Sequence, residues 1–406
     1  MPNAVPGLVL LDDGQGEFGP LCDLAPVFAL RTGAITTRER IERALGLAVA
    51  AKVPASLEAL VLETTGLASV LPQGDSFIVV NGRLAEASEA LGLEPNDVVT
   101  SGGVVVAARL SRADVERFLA SGELPRGTRS RPSSASLLVY PWDILNALGA
   151  NITSDIAAMV PRAAALEYAM LPDPHASRMG THPVLLHRTA NVAPQVVFDA
   201  SAGPVVVGPK CLIRPMSVVC GPCSIGEGST ISDRSLIKPN VTCGMQCRLG
   251  GEVGGTSIAG RSNKTHDGHL GDSVLGEWVN LGAGTDNSNL LNTYGEVPVR
   301  LESDGPRVRS GRIFFGAVIG DHVKCAIGTR IMTGSVLGTG AMIATSKPPP
   351  TTLRRFGWLT DEGERRYTLS KFIEVAKTVM ARRGVTPGPA YLARLAALHA
   401  TSGTDA

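Results

Sequence analysis

Residues 207–249, VGPKCLIRPMSVVCGPCSIGEGSTISDRSLIKPNVTCGMQCRL, repeat a pattern with a period of six. In every six residues one position has a bulky apolar side chain and another has a side chain that is usually small. A parallel β-helix requires this pattern, because each short strand points one bulky side chain into a narrow core and turns at a small one. The bulky series is Val207, Ile213, Val219, Ile225, Ile231, Ile237, Cys243 and Leu249, and the companion series is Cys211, Ser217, Cys223, Ser229, Ser235, Val241 and Cys247.

The same period returns nearer the C-terminus, after an interruption. Its bulky series there is Ile319, Cys325, Ile331, Leu337 and Ile343, with companions at Val323, Thr329, Ser335 and Ala341. The repeat assigns residues 181–347 to the β-helix. It also argues against a redox or zinc role for Cys220-Gly-Pro-Cys223, because such a motif needs a helix N-terminus to lower a thiol pKa.

Residues 1–180 have a different pattern, in which strands and helices alternate. Residues 8–11, 77–80, 104–108 and 136–140 are predicted strands, and helices are predicted from Thr37 to Ala51 and from a Ser111 cap to Ala120. This alternation predicts an α/β domain with a sheet. The strand at 136–140 would deliver Asp143 to the end of the sheet.

The C-terminal part, residues 348–406, begins with three prolines. Pro348, Pro349 and Pro350 are expected to end the coils, and residues 369–383 have the apolar spacing of an amphipathic helix that Gly384 stops. A last helix carries Tyr391, Leu392, Leu395 and Leu398. This segment is therefore predicted to be a helical extension.

Composition narrows the range of partners. The chain has 406 residues, 44% of them hydrophobic, and a net charge of +1 from 38 basic and 37 acidic residues. This balance argues against nucleic acid and anionic membrane surfaces. Seven cysteines, an odd number, argue against a disulfide framework. The start shows no signal-peptide pattern, so a cytoplasmic protein that binds small molecules or copies of itself is expected.

The interruption of the repeat contains the most polar stretch, SNKTHDGHLGDSVLGEWVNLGAGT at residues 262–285. It places His266 and His269 among glycines and small side chains rather than on an amphipathic face. A β-helix is a rigid support, so this pattern indicates a functional site mounted on it.

The chain resembles the bifunctional family of UDP-N-acetylglucosamine pyrophosphorylase and glucosamine-1-phosphate N-acetyltransferase. The residues that carry the likeness are the Asp12-Asp13-Gly14 start, the Trp142-Asp143-Ile144 segment and the motif at 261–297, and they are most similar to a divergent bacterial branch. The resemblance implies a left-handed β-helix and a homotrimer. It also implies acetyl transfer from acetyl-CoA to glucosamine 1-phosphate, and Mg²⁺-dependent uridylyl transfer from UTP to N-acetylglucosamine 1-phosphate.

The same resemblance assigns roles in acetyl transfer. His266 takes the place of the general base that removes a proton from the sugar amine, a task suited to an imidazole that titrates near neutral pH. The expected acetyl-CoA contacts are Ala283, Ile327 and Thr345. The expected sugar-phosphate contacts are Lys238, Asn263, Lys264, His269, Asn280 and Asn289. The competing interpretation of each is a solvated turn residue on a coil.

Three positions depart from the better-known branch of that family. His269 replaces a substrate-contacting Tyr, Ile327 replaces a Ser near the thioester sulfur, and Lys238 replaces an Arg that grips phosphate. A Lys keeps the charge but loses the bidentate geometry. Details of donor and acceptor binding are therefore expected to differ.

The N-terminal domain lacks the Gly-rich phosphate loop of ordinary nucleotidyltransferases. Asp12, Asp13, Gly14 and Arg31, with a helix start at Thr36 and Thr37, are the expected replacement for binding the nucleotide. Asp12 and Asp143 are the expected Mg²⁺ ligands. Helix capping and turn formation are the competing interpretation of these aspartates.

Two other functions fit parts of the sequence. His187, His266, His269 and His322 would offer the three-histidine zinc site of a hexapeptide carbonic anhydrase. Alternatively, the chain is a nucleotidyltransferase for another sugar phosphate, whose β-helix only assembles and regulates it, as in ADP-glucose pyrophosphorylase.

Overall fold

The computed structural model describes residues 6–86, 91–171 and 176–402. They form two compact units that interleave along the chain. The first contains residues up to 17, 24–30 and 36–140, and the second contains 18–23, 31–35 and 141 onward. These units divide at Tyr140 and Pro141, and the domain limits at 180 and 347 remain a prediction.

The first unit is built on a six-stranded mixed sheet with the order β2-β1-β3-β5-β4-β6. Strand β1 pairs in parallel with β2 and β3, and β5 runs antiparallel to β3 and β4. This confirms the predicted α/β N-terminal domain. The strands are β1 (Gly7–Leu11), β2 (Ala48–Lys52), β3 (Ser76–Asn81), β4 (Asp97–Ser101), β5 (Val104–Ser111) and β6 (Arg129–Pro132).

The described residues of this unit include three α-helices: α1 (Thr37–Leu45), α2 (Ala55–Thr65) and α3 (Arg112–Ser121). Ser111 caps α3 by accepting a hydrogen bond from the Asp114 backbone, as predicted. Helix α1 is shorter than predicted. Thr36 and Glu39 form a capping box at its start, and Gly46 at φ 99° ends it, so that Ala48 already lies in β2.

The predicted strand at 136–140 is wrong. Residues 136–140 form an isolated bridge, from Leu137 to Leu84, and no strand. Helix α4 (Pro141–Met159) follows immediately and belongs to the second unit. A proline suits the first position of a helix because its missing N–H would be unpaired there anyway. Asp143 consequently lies in the first turn of a helix and not at a strand end.

The second unit is a parallel β-helix, as predicted, with three faces that the chain visits in the order face 1, face 2, face 3. Face 1 contains Asn191–Val192, Leu212–Ile213, Thr230–Ile231, Arg248–Leu249, Asn263–Lys264, Asn280–Leu281, Lys324–Cys325, Met342–Ala344, Gly357–Thr360 and Gly363–Arg366. Face 2 contains Ala176–Gly180, Val196–Ala200, Val218–Cys220, Leu236–Ile237, Glu252–Gly254 and His269–Gly271, and a further two-stranded ladder joins Asp286–Asn287 to Arg330–Ile331.

Face 3 closes each coil. Its strands are Tyr168–Met170, Val184–His187, Val205–Val207, Cys223–Ile225, Val241–Cys243, Ser257–Gly260, Val274–Glu277, Ala317–Ile319, Ser335–Leu337 and Thr352–Leu353. Successive bulky positions of the repeat alternate among the three faces, so Ile231, Ile237 and Cys243 each belong to a different sheet and are fully buried. Each six-residue repeat therefore forms one face of a coil.

The interruption in the repeat does not interrupt the β-helix. Leu249 pairs with Lys264, fifteen residues later, and Asn263 pairs with Asn280, seventeen residues later, whereas Ile231 and Leu249 are eighteen apart. The next coil contains an insertion with the antiparallel hairpin Pro298–Val299 and Val308–Arg309. The coils simply change length there.

The three prolines do not end the coils, contrary to the prediction. Val336 pairs with Thr352, and Met342 pairs with Trp358, beyond Pro350. A hairpin of Gly357–Thr360 and Gly363–Arg366 closes face 1 instead. The predicted C-terminal helices are confirmed as α5 (Leu369–Ala381) and α6 (Pro389–Thr401), and short 3₁₀ helices span Gly19–Cys22, Val27–Ala29, Val160–Arg162 and Ala164–Leu166.

The cysteines of the repeat are interior packing groups. Cys223 is fully buried, and burial raises the pKa of its thiol well above the ordinary value. Burial also raises the pKa of Cys211 to about 12. Thiols held in the protonated form are unreactive, which agrees with the structural interpretation of Cys220-Gly-Pro-Cys223. Within the described residues, no helix is both long and apolar enough to cross a membrane.

The interior ladder should dominate the stability of the second unit. Ile237 is fully buried and its neighbour Leu236 is 38% exposed. Replacing Ile237 with Ala should lower the free energy of unfolding by about 2–5 kcal/mol, because a cavity replaces close packing. The control, Leu236→Ala, should lower it by less than about 1 kcal/mol. Denaturant unfolding of the full chain checks both; equal losses would contradict the one-residue-per-strand core.

Candidate active sites

His266 lies at the corner of the β-helix between face 1 and face 2. It follows the face 1 strand Asn263–Lys264, just as Ala283 follows Asn280–Leu281 and Ile327 follows Lys324–Cys325. Backbone bonds keep this register: Gly282 donates to Cys325 O (3.1 Å) and Ala326 donates to Ile343 O (2.8 Å). Four of the residues singled out in the sequence, His266, Ala283, Ile327 and Thr345, thus follow one another along a single edge.

The His266 side chain is exposed at this corner. Among the residues that the structure describes, none forms a hydrogen bond with its ring. Ile327, on the same edge, is 78% exposed. The edge therefore presents an imidazole and an apolar side chain to an incoming molecule.

Lys264 is placed differently from the expectation that it binds a phosphate. Its side chain is buried at 2% exposure, on the interior side of its strand. Its Nζ donates to the carbonyl oxygens of Gly250 (3.2 Å), His266 (2.6 Å) and Asp267 (3.0 Å). An ammonium group has three hydrogens to donate, so this one is saturated by backbone. Burial lowers its pKa to about 8, against the opposing effect of Asp286 and Asp267.

Face 2 carries a charged cluster next to this corner. Glu252 Oε1 lies 3.1 Å from Lys238 Nζ and 3.4 Å from His269 Nδ1. The hydrogen bond from Lys238 lowers the pKa of Glu252. Parallel pairing places Glu252 beside His269, and Lys238 follows the preceding strand of the same face. Glu252 therefore brings Lys238 and His269 together, and their role as sugar-phosphate ligands remains a prediction.

Asn289 joins the cluster from the insertion. Its Nδ2 donates to Asp272 Oδ2 (2.7 Å), and Arg312 Nη2 donates to Asp272 Oδ1 (3.1 Å). Both His269 and Asn289 lean over Gly271: a Cβ there would lie 2.4 Å from His269 Nε2 and 2.8 Å from Asn289 Nδ2. Burial raises the pKa of Asp272. Arg312 also donates to Asn146 Oδ1 of α4 (2.7 Å).

Asn263 and Asn280 lie on face 1 and not with this cluster. Asn263 Nδ2 donates to Asn280 Oδ1 (3.3 Å), and Arg383 Nη2 donates to Asn263 Oδ1 (2.9 Å). The His266 corner separates these two asparagines from Lys238 and His269. The residues chosen as sugar-phosphate ligands are thus divided between two faces.

The first unit has its own cavity, of about 580 Å³, at the carboxyl ends of the parallel strands β1, β2 and β3. Ligands of α/β sheets commonly bind at this edge. Asp12 Oδ1 accepts from Gly14 N (3.1 Å) and Oδ2 from Val27 N (2.9 Å), while burial raises its pKa. The lining includes Asp12, Asp13, Gly14, Lys52, Asn81, Val104 and Phe118.

Asp13 has no acceptor position left. Its Oδ1 accepts from Gln15 N (3.1 Å) and Arg83 Nε (2.9 Å), and its Oδ2 accepts from Asn81 Nδ2 (2.8 Å) and Arg83 Nη2 (2.7 Å). A carboxylate offers about four such positions. Burial alone would raise the pKa of Asp13, but the bonds from Arg83 and Asn81 lower it. Asp13 is therefore a structural partner of the buried Arg83 rather than a ligand group.

The other residues chosen for the nucleotide site lie elsewhere. Arg31 belongs to the second unit, where its Nη1 donates to Ala34 O (2.6 Å), and Asp143 belongs to the same unit on α4. Lys52, at the end of β2, lines the cavity instead and pairs with Glu58 at 3.2 Å. Sequence reasoning missed Lys52 because the residues before it were interpreted as helix.

Asp12 fits a magnesium ion in part. Each of its oxygens accepts one backbone hydrogen bond and keeps one further acceptor position. Mg²⁺ is commonly held by one or two carboxylates together with substrate phosphates. Asp12 would supply the single carboxylate, and the ion would neutralise phosphate charge.

The three-histidine zinc site is not formed within the chain. His187 Nδ1 bonds Thr189 Oγ1 (2.9 Å), and His322 Nε2 bonds Tyr391 Oη (2.7 Å) beneath the C-terminal helices. Burial lowers the pKa of His322 well below its ordinary value. Across residues 6–86, 91–171 and 176–402, no three His, Cys, Asp or Glu side chains come together as metal ligands.

Comparison with known proteins gives a family match for the N-terminal part of the chain. Residues 8–162 match the family model described as sugar nucleotidyl transferase. The "bifunctional protein GlmU" of Methanococcus vannielii is 32% identical over 140 residues, which cover 34% of this chain and 28% of that protein. The resemblance inferred from the sequence is confirmed at modest identity.

Two further similarities are weaker, because one covers few residues and the other has a low TM-score. The "bifunctional sugar-1-phosphate nucleotidylyltransferase/acetyltransferase" of Sulfurisphaera tokodaii is 40% identical over 92 residues, covering 23% of this chain and 22% of that protein. A putative acetyltransferase structure from Bacillus cereus is 15% identical with a TM-score of 0.18, covering 56% of this chain and 98% of its own, and a score this low supports no conclusion. The chain spans less than two fifths of the length of the curated relatives it matches.

The buried Lys264 should leave a signature in the pH dependence of stability. Its pKa is about 8 in the folded protein and returns to about 10.5 on unfolding. Between these values the unfolded chain binds more protons, so the parent should gain stability as pH rises from 8 to 10. Lys264→Met lacks this titration. Denaturation midpoints of both proteins are measured at pH 7, 8, 9 and 10. The midpoint of the parent should rise relative to that of Lys264→Met as pH increases. A difference between the two midpoints that does not change with pH would contradict the buried ammonium.

Proposed function

We propose that the chain is a transferase of UDP-N-acetylglucosamine synthesis. The β-helix would acetylate glucosamine 1-phosphate with acetyl-CoA, and the first unit would join N-acetylglucosamine 1-phosphate to UTP. The observation that carries the proposal is the exposed imidazole of His266, whose ring bonds none of the described residues, on a corner that also bears Ala283 and Ile327. His269 of the face 2 cluster follows His266 by three residues.

In the acetyl transfer, His266 acts as general base. The sugar nitrogen attacks the thioester carbon, a C–N bond forms, the C–S bond breaks, and the amine proton passes to the imidazole. The thiolate leaves and takes up a proton as the free thiol. An imidazole is suited to this step because it accepts a proton near neutral pH.

The face 2 cluster supplies the acceptor site in this proposal. Lys238 is exposed and its charge is shared with Glu252 across 3.1 Å, so a sugar phosphate could replace the carboxylate as its partner. His269 and Asn289 offer polar groups over Gly271. Ala283, Ile327 and Thr345 remain the proposed acetyl-CoA contacts along the edge.

The first unit binds the nucleotide in this proposal, with Asp12, Gly14 and Lys52 around the cavity. Asp12 would hold Mg²⁺ against the triphosphate, and Lys52 would add positive charge. The match of residues 8–162 to a sugar nucleotidyl transferase family supports this assignment. A cytoplasmic location and a homotrimer are part of the same proposal.

A second candidate keeps the nucleotidyl transfer and gives the β-helix only a structural or regulatory role. It is favoured by the nucleotidyltransferase match, which ends at residue 162, before the coils begin. The two candidates differ in one measurement. Thiol release from acetyl-CoA with glucosamine 1-phosphate occurs only under the bifunctional proposal, whereas nucleotidyl transfer to a sugar phosphate, measured as pyrophosphate release, is shared.

Replacing His266 with Ala should lower kcat for acetyl transfer by about two to four orders of magnitude, because the base acts in the transition state. The KM for acetyl-CoA should change little. The residual rate should rise with pH, since more of the amine substrate is then already deprotonated. Steady-state kinetics from pH 6 to 9 measure all three effects.

His269→Ala is the matched control, since it should mainly raise the KM for the sugar phosphate. Both variants should keep the melting temperature of the parent, because neither side chain belongs to the interior ladder. A His266→Ala protein with nearly parental kcat at pH 7 would remove the base assignment.

The two neighbouring aspartates of the first unit should separate function from structure. Asp12→Asn should lower Mg²⁺-dependent uridylyl transfer by about 10²-fold or more with little loss of stability, because it removes charge from a carboxylate with free acceptor positions. Asp13→Asn should instead destabilise the fold by roughly 3–5 kcal/mol, because the buried Arg83 loses its partner. Melting curves and pyrophosphate release, with acetyl transfer as the internal control, check both; equal behaviour of the two variants would contradict this division.

A further inference from the structure

Lys264 occupies a position that the β-helix reserves for apolar side chains. Parallel pairing aligns it with Leu249 in the coil before, and pairing of Asn263 with Asn280 aligns it with Leu281 in the coil after. From Val192 to Leu359 the other members of this interior column on face 1 are apolar: Val192, Ile213, Ile231, Leu249, Leu281, Cys325, Ile343 and Leu359.

A buried ammonium is costly unless its hydrogens are bonded. All three acceptors of Lys264 are backbone carbonyls, at Gly250, His266 and Asp267. Two of them belong to the turn that carries the candidate base, and the third belongs to the corner of the coil before it. The lysine therefore ties the His266 turn to the interior of the β-helix.

The C-terminal end of this turn packs closely against Thr285 and Asp286. Gly268 adopts φ 107°, and a Cβ there would lie 2.3 Å from Thr285 O. Asp286 Oδ1 accepts from His269 N at 2.6 Å. Gly268 and Asp286 thus hold the exit of the turn, and Lys264 holds its middle, where His266 is.

We propose that Lys264 is a positioning residue for His266: by drawing the carbonyl groups of His266 and Asp267 toward the interior, it directs the imidazole outward over the edge shared with Ala283 and Ile327. This inference rests on the proposed acetyl transfer. A displacement of about 1 Å in a catalytic group can cost on the order of 10²-fold in rate, so such an anchor has a measurable effect.

The interior position of Lys264 predicts that Lys264→Leu keeps or raises stability and lowers activity. A leucine at 264 would complete the apolar column, so the melting temperature of Lys264→Leu should equal or exceed that of the parent. The same variant frees the carbonyls of the turn, so kcat for acetyl transfer should fall by about 10- to 100-fold. The KM for acetyl-CoA should stay within about twofold, because the edge residues are unchanged.

The test compares Lys264→Leu and Lys264→Met with the parent and with Leu249→Met, a control in the same column one coil earlier. Hydrogen–deuterium exchange of the backbone amides of residues 265–269 is measured together with the kinetics. Both Lys264 variants should exchange faster in this segment at an undiminished melting temperature, and Leu249→Met should match the parent in kcat and in exchange.

The two readouts separate this inference from the proposed function. Unchanged exchange at 265–269 in folded Lys264 variants would overturn the anchor, whatever their activity. Faster exchange with unchanged kcat would overturn the positioning role. If the parent itself releases no thiol from acetyl-CoA, the proposed function fails and the positioning role fails with it, while faster exchange would still establish Lys264 as the anchor of the turn.

Discussion

The narrow interior of the β-helix is the constraint on which the second unit depends. The two-residue strands, such as Leu212–Ile213 and Thr230–Ile231, each place a single side chain inside, and parallel pairing stacks it on the equivalent side chain of the next coil. Ile213, Ile231 and Leu249 form such a column, spaced by eighteen residues. A side chain at one of these positions must therefore be apolar or must form hydrogen bonds with nearby backbone groups. Lys264 does the second, because its Nζ donates to three carbonyl oxygens.

The same register explains how the candidate site is assembled. Because equivalent residues of successive coils align, a corner residue in one coil has a corner residue above it in the next. His266, Ala283 and Ile327 are distant in sequence, yet they occupy one edge for this reason. Hydrogen bonds between coils fix the backbone, so the side chains at the edge vary without altering the core that supports them.

The sequence predicted most of the architecture where the pattern was regular. The period of six between Val207 and Leu249 gave the correct strands, and Ser111 correctly predicted the start of α3. It failed where coil length changed, since the coils that end at Lys264 and Asn280 contain fifteen and seventeen residues and no longer keep the period. The prolines at 348–350 were misleading because strand pairing resumes after them on two faces.

The candidate sites were predicted less completely, because sequence spacing does not show which charged groups satisfy one another. Asp12 and Asp13 are adjacent and chemically identical, but Arg83, seventy residues away, takes two of the positions on Asp13. From the sequence alone, Lys264 is likewise expected to be a surface cation. The register of its strand shows that its side chain points inward. In both cases a one-residue step reverses the role of the side chain: along a strand, successive side chains face opposite sides of the sheet, so Asn263 reaches the surface and Lys264 the interior. Among the described residues, a polar side chain is available to a ligand where the fold leaves its bonding capacity unused, as it does for Asp12 and for the ring of His266.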